Sequence, residues 1–275
     1  MSDVVDLFDL AKNNDPRLEE NFQRLLETAS EAARVKLREF ATLVEHSGFV
    51  SLNLRIVSLL AFLDSGRQWN VFEWAEAESE VSGREADDHL RERLGVWYPK
   101  RTAFEDSFVG GREFHYGALN IGGLGAKRYG TCCAVTLQRF LDRERLVFLH
   151  SDSLRDFVDE HARVLHDVLR VSVASKGSHH HLAATKHAED CPESGDWHRM
   201  LCSSAGYVEA IFRGSATVDE LGVVRFPKSE YDEIQDLTLG ILIGDTVKDA
   251  DRIRVTQFGK LTQQLETRSI PLEVL

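Results

Sequence analysis

The sequence predicts an α+β protein with segregated elements, helices first and β-structure late. Three observations carry this. An apolar stripe at helical spacing fills the first 48 residues, glycine and aromatic residues crowd residues 96–130, and short strand-like runs dominate from residue 206 onward. The chain has 275 residues, 43% of them hydrophobic and 28% charged, which is enough to build a core without staples.

The elements follow in order. Asp15 before Pro16 reads as a helix start. Leu18, Phe22, Leu25, Leu26, Ala29, Ala32, Ala33, Leu37, Phe40, Leu43 and Val44 then recur at three- and four-residue steps, one stripe on a helix of about 30 residues that Ser47-Gly48 ends. Residues 49–55 alternate as a strand, and residues 56–64 start an apolar helix. Residues 75–95 read as a solvated helix and loop. Thr131 to Leu137 and Arg145 to His150 read as strands. Ser153 with Asp156 makes a capping-box pattern, opening a helix over about 154–171. Residues 207–212, 223–226, 234–243 and 252–258 read as strands. The expected domains are a helical extension, 1–48, and a β-rich domain, 49–275, with a His/Cys-rich insertion at 175–202.

The net charge of −12 disfavours broad nucleic-acid coating, while a small anion held by local arginines fits. No apolar run is long enough to span a membrane. The start, MSDVVDLFDLAKNNDP, shows no secretory pattern, so the expected location is the cytosol, or outside the cell by a route without a cleaved signal. Four cysteines are too few for a disulfide scaffold. Cys132 and Cys133, inside an apolar run, read as small buried hydrophobes.

The segment YGALNIGGLGAKRYGTCCAVTL, residues 116–137, is the most informative. Its glycines at 117, 122, 123, 125 and 130 allow close backbone approach to a ligand. Their spacing matches neither a Walker loop nor a dinucleotide fingerprint. Lys127 and Arg128 are available to a phosphate. Ser151–Ser153 reads as a turn and cap.

Tyr116-Gly117-Ala118-Leu119-Asn120, then Arg128-Tyr129-Gly130-Thr131-Cys132, then Ser151-Asp152-Ser153, together resemble an uncharacterised bacterial domain family similar to the ADP-ribosyltransferase superfamily. The likeness spans residues 49–258, patchily. It implies a split antiparallel β-sheet domain that binds NAD and either transfers ADP-ribose to a macromolecule or hydrolyses NAD, and a bacterial toxin or effector role. The family pattern places an arginine or histidine on an early strand, matched by Arg55. It places a hydroxyl residue or tyrosine on a middle strand, matched by Tyr116 and Thr131, with Gly117 and Asn120 beside them in the NAD-binding segment. It places a glutamate on a late strand, for which Glu209 and Glu233 compete. A serine-threonine-serine triplet is absent, and no second glutamate lies two residues before either candidate, which departs from arginine-directed transfer. Cleaving the nicotinamide–ribose bond passes through an oxocarbenium-like state that a carboxylate stabilises, and an arginine pairs bidentately with pyrophosphate.

A rival constellation is His187, Cys191, His198 and Cys202. Two imidazoles and two thiolates make a closed tetrahedral zinc set. The spacings are not those of a zinc finger. This supports an alternative reading, a non-enzymatic module braced by zinc that binds a protein partner. On the enzyme reading the acidic charge favours a protein or small-molecule acceptor, and the N-terminal helix offers a partner surface.

Overall fold

The computed structural model describes residues 4–203 and 205–275. Asp6, not Asp15, starts the first helix, α1 (Leu7–Thr28), by accepting a hydrogen bond from the Phe8 N–H at 2.8 Å. Pro16 lies inside this helix. The expected single helix is two, because Ala29 is extended with ψ 150° and Ser30 caps α2 (Glu31–Ser47) through the Ala33 N–H at 3.3 Å. The stripe itself is buried as read: Leu18, Phe22, Leu26, Leu37, Phe40 and Val44 all lie in the main core. Residues 7–47 therefore pack into cores shared with the sheet, and the apolar face of α1 and α2 is covered.

The strand β1 (Phe49–Leu54) leads into α3 (Ile56–Ser65). Asn70 and Glu73 form a capping box at α4 (Val71–Ser82), and α5 (Ala86–Leu94) and α6 (Tyr98–Asp106) follow. Then come β2 (Phe114–Asn120), β3 (Cys132–Thr136) and β4 (Leu146–Leu149). The expected helix over 154–171 is two short pieces, α7 (Ser153–Asp156) and α8 (His166–Val171). Asp152 rather than Ser153 caps the first piece, accepting from the Leu154 and Arg155 N–H groups at 3.0 and 2.9 Å. After β5 (Val173–Ser175), α9 (His179–Lys186) and α10 (Trp197–Leu201) come β6 (Glu209–Arg213) and β7 (Leu221–Phe226).

The chain closes with α11 (Lys228–Ile243), α12 (Asp249–Thr267) and β8 (Leu272–Val274). Residues 234–243 and 252–258 are thus helical and not strands. An apolar run such as Leu237–Ile243 fits either period, and here the ends decide. Pro227 precedes the first turn of α11, and Gly244 at φ +90° closes its last turn on the Gly240 and Ile241 carbonyls.

Among the described residues eight strands form one continuous sheet rather than a split one, in the order β5-β4-β6-β2-β1-β3-β7-β8. All neighbours are antiparallel except β7 and β8. The register aligns Leu149, Glu209, Ala118, Ser51 and Val135 in one row across the sheet. Alternation assigns the two faces. One face presents Val50, Leu52, Leu119, Phe148, Ala210 and Phe212 to α1, α2, α3, α9 and α12. The other presents Phe114, Val147, Leu149 and Ile211 to a second cluster built from the start of α1, α6 and the α7–α8 region. Glu209 lies on this second face. Among the described residues, no helix is long and apolar enough to cross a membrane.

Candidate functional site

A cavity of about 580 Å³ opens on the second face where β1, β2 and β6 stand side by side. Ser51 and Asn53 come from β1, Tyr116 from β2 and Glu209 from β6; Arg93, Trp97 and Arg101 come from the α5–α6 region. Arg128 and Tyr129 enter from a 3-10 turn, Lys127–Tyr129, and Asp152, Ser153 and Arg155 from the start of α7. Four arginines thus share the cavity lining with one buried carboxyl, that of Glu209.

Glu209 is 5% exposed, and its Oε2 accepts the Ser153 N–H at 2.7 Å. Burial raises its pKa to about 8; nearby Asp152 adds to the rise and Arg101 opposes it. The strand fixes this placement, since Ala210 pairs with Phe148 and Gly117 on either side. Lys186 on α9 braces the same strand ends: its Nζ donates to the His150 and Tyr207 carbonyls. Burial pulls that amine down to about 8.

Tyr116 and Arg101 form a second unit. The guanidinium lies 4.1 Å from the Tyr116 ring centroid, and the Tyr116 hydroxyl donates to Glu105 Oε1 at 2.6 Å. Arg101 Nη1 donates to the same Glu105 oxygen at 3.0 Å. Burial would lower the Arg101 pKa, but Glu105 outweighs it, so the guanidinium stays charged. Burial raises the Tyr116 phenol well above its ordinary value.

Asp152 ties the wall together. One carboxylate oxygen caps α7, and the other accepts from Arg128 Nη2, from the Tyr129 hydroxyl at 2.7 Å and from the Tyr207 hydroxyl at 2.9 Å. Burial alone would raise its pKa, but the hydroxyl and N–H donors lower it. The glycine-rich segment makes this reach possible. A Cβ on Gly130 would lie 2.1 Å from the Leu54 carbonyl carbon, so only glycine lets the turn carrying Arg128 and Tyr129 approach β1 this closely.

Several buried polar atoms around the cavity have no hydrogen-bond partner among the described residues: Asn53 Oδ1, Gln68 Oε1, Arg101 Nε and Ser153 Oγ all belong to lining residues. The Asn53 amide is oriented by its Nδ2, which donates to the Leu124 and Gly130 carbonyls at 2.9 and 3.1 Å. Such atoms cost about 1–3 kcal/mol each when buried alone, so the site suits a polar ligand.

The sequence-derived candidates divide sharply. Tyr116, Gly117 and Glu209 line the cavity. Arg55 does not; it directly follows β1 as the exposed N-cap of α3, and Arg93, Arg101, Arg128 and Arg155 supply the guanidinium groups. Asn120 points at its own loop, where its Oδ1 accepts from the Gly122 and Gly123 N–H groups, both at 2.8 Å, so it shapes a turn and does not line the cavity. Thr131 lies between that loop and β3, outside the lining. Glu233 sits on the outer side of α11, paired with Arg254 at 2.8 Å and remote from the cavity.

The expected zinc set is not assembled. His187 Nε2 bonds the Gly206 carbonyl at 2.9 Å, and the Cys191 thiol contacts the Lys36 carbonyl at 3.7 Å. His198 and Cys202 instead pack against Gly122 and Gly123. Burial raises the Cys191 thiol to about 12 and the Cys202 thiol to about 11, away from the thiolate a metal needs. Among the described residues no three His, Cys, Asp or Glu side chains come together to hold a metal.

Sequence reading missed Arg93, Trp97, Arg101 and Arg155. Arg101 and Glu105 at i, i+4 were a visible signal, but the pair reads equally as a surface salt bridge. No family model matches the chain, and no curated protein matches its sequence.

Proposed function

We propose that the chain binds NAD in this cavity and cleaves its nicotinamide–ribose bond, transferring ADP-ribose to an acceptor or to water. The carrying observation is the convergence of Tyr116 and Glu209, from adjacent strands far apart in sequence, on one cavity lined by Arg93, Arg101, Arg128 and Arg155. Early, middle and late strands standing side by side also support an ADP-ribosyltransferase type of sheet. A volume of about 580 Å³ lies within the usual range for small-molecule sites.

The roles follow from the chemistry. Arg101, Arg128 and Arg155 offer guanidinium groups to the pyrophosphate, and the Tyr116 ring offers an apolar face to the nicotinamide. The C1″–N bond breaks, its electron pair passes to the pyridinium nitrogen, and neutral nicotinamide leaves. The acceptor's lone pair forms the new bond to C1″, and its proton passes to the Glu209 carboxylate. Ionised Glu209 stabilises the positive ribose centre.

Nicotinamide release from NAD, with and without cell lysate, tests the reading. Wild type should release it, and Glu209→Gln should lose about three orders of magnitude or more in kcat. Glu233→Gln should be indistinguishable from wild type. The reading fails if wild type releases no nicotinamide and titration calorimetry detects no NAD binding.

A further inference from the structure

The cavity mouth carries charge and aromatic surface that its floor does not use. The salt bridges around the cavity join Arg101 to Glu105, Arg128 to Asp152 and Arg155 to Asp156. Arg55, Arg93 and Lys127 enter none among the described residues. Arg55 and Lys127 are exposed, one directly after the lining residue Leu54 and the other between the lining residues Ala126 and Arg128. Arg93 lines the cavity with its guanidinium 4.0 Å from the Trp74 ring centroid. Arg55 lies close enough to Arg93 to oppose its charge, with Glu78 the carboxylate acting the other way. Trp97 and Tyr129, 46% and 47% exposed, flank the same opening.

In a chain of net charge −12, three cations without a salt bridge among the described residues, beside two exposed aromatic rings, are a local reversal of sign. Guanidinium and ammonium groups suit phosphates, and indole and phenol faces suit unstacked bases. A folded acidic protein would match the charge but leaves the rings without flat partners, and a duplex keeps its bases stacked. We infer that the cavity mouth binds a single-stranded nucleic acid, with phosphates on Arg55, Arg93 and Lys127 and bases on Trp97 and Tyr129. Resting on the NAD-cleaving reading, one further consequence follows: a base or sugar of that strand is the acceptor of ADP-ribose.

Binding is tested without NAD, so its outcome is independent of turnover. Fluorescence anisotropy of labelled 12-nucleotide single-stranded DNA and RNA, with the matching duplexes as controls, reads affinity directly. Saturable binding of a single strand in preference to its duplex is expected, and the better of DNA and RNA names the source. The logarithm of the binding constant should fall with log salt at a slope of about −2 for three phosphates. The double variant Arg55→Glu/Lys127→Glu and, separately, Trp97→Ala should each weaken binding at least tenfold and fivefold respectively, with unchanged circular dichroism. Arg24→Glu, far off on α1, should leave it unchanged. No single-strand binding, or equal loss in Arg24→Glu, overturns the inference. Acceptor identity is read with labelled NAD: label on the oligonucleotide supports it, and label on protein alone overturns that part. If no nicotinamide is released but the strand binds, the NAD reading fails and the binding surface stands.

Discussion

Replacing Glu209 with glutamine should change how stability depends on pH more than it changes stability at any one pH. The Glu209 carboxyl is buried beneath the cavity, with its pKa raised from an ordinary 4.5 to about 8, chiefly by burial and then by Asp152. The folded state therefore binds a proton that the unfolded chain has released. Below pH 4.5 both states are protonated, and the full contribution is present. Between about 4.5 and 8 the folded state alone holds the proton, so stability falls by about 1.4 kcal/mol per pH unit. Above about 8 both are ionised and the slope vanishes. The ceiling on the loss is ~5 kcal/mol, reduced by any relaxation or water entry. Glutamine cannot ionise and should abolish this slope.

Urea unfolding of both proteins at half-unit steps from pH 5 to 8.5 measures it. Buried His115 and His187 and half-buried His150, each held at about 4 mainly by burial, contribute with the opposite sign. They lower stability as pH falls from 6.5 toward 4, equally in both proteins, so the difference between variant and wild type isolates Glu209. That difference should grow steadily in favour of glutamine from pH 5 to 8. A flat difference would refute the buried, protonated carboxyl and with it the charge logic of the cavity.

Two further outcomes concern the wall. Asp152→Asn removes the charged acceptor of Arg128, Tyr129 and Tyr207, while the asparagine oxygen still caps α7; thermal melts should show a loss of about 2 kcal/mol. Gly130→Ala drives a Cβ into the Leu54 backbone and should cost at least about 2 kcal/mol in urea unfolding, whereas Gly66→Ala, at φ +77° with open space around it, should cost about 1. On the NAD-cleaving reading, kcat/KM for nicotinamide release should rise through pH about 8 as Glu209 ionises in the free protein; a profile flat from pH 6 to 9 would remove Glu209 as the ionising group.

The sequence made the local elements legible where one period dominated. The apolar stripe over residues 18–44 is buried as its spacing requires, and β6 and β7 lie close to their expected ranges. It misled where two periods fitted. Leu237–Ile243 is mostly apolar, broken by Thr238 and Gly240, and its pattern fits helix or strand; Pro227 and Gly244 separate the two. In the site, Tyr116 and Glu209 were named through the family resemblance, and β2 and β6 bring both to the cavity. Arg93, Trp97, Arg101 and Arg155 were not, because helices and turns bring them to the cavity through tertiary packing that no local pattern encodes. The His/Cys stretch failed for a related reason. The step from His187 to Cys191 spans the end of α9, and each side chain finds a backbone carbonyl before it finds its neighbour.

The charges around the cavity pose a requirement that a ligand must meet twice. Guanidinium groups at Arg93, Arg101, Arg128 and Arg155 favour an anion, yet an anion alone would push the Glu209 carboxyl further toward its protonated form. Only a ligand that also brings positive charge beside Glu209 ionises it. NAD carries both, a pyrophosphate and a pyridinium ring, whereas reduced NADH keeps the pyrophosphate and lacks the cation. At pH 7.5, NAD binding should therefore release a fraction of a proton that NADH binding does not. Calorimetric titrations in buffers of different ionisation enthalpy read that number directly. For wild type the observed enthalpy should vary with the buffer in the sense of proton release with NAD and of proton uptake with NADH, and both dependences should vanish in Glu209→Gln. Equal proton release by NAD in wild type and Glu209→Gln would place the titrating group elsewhere and separate Glu209 from the nicotinamide.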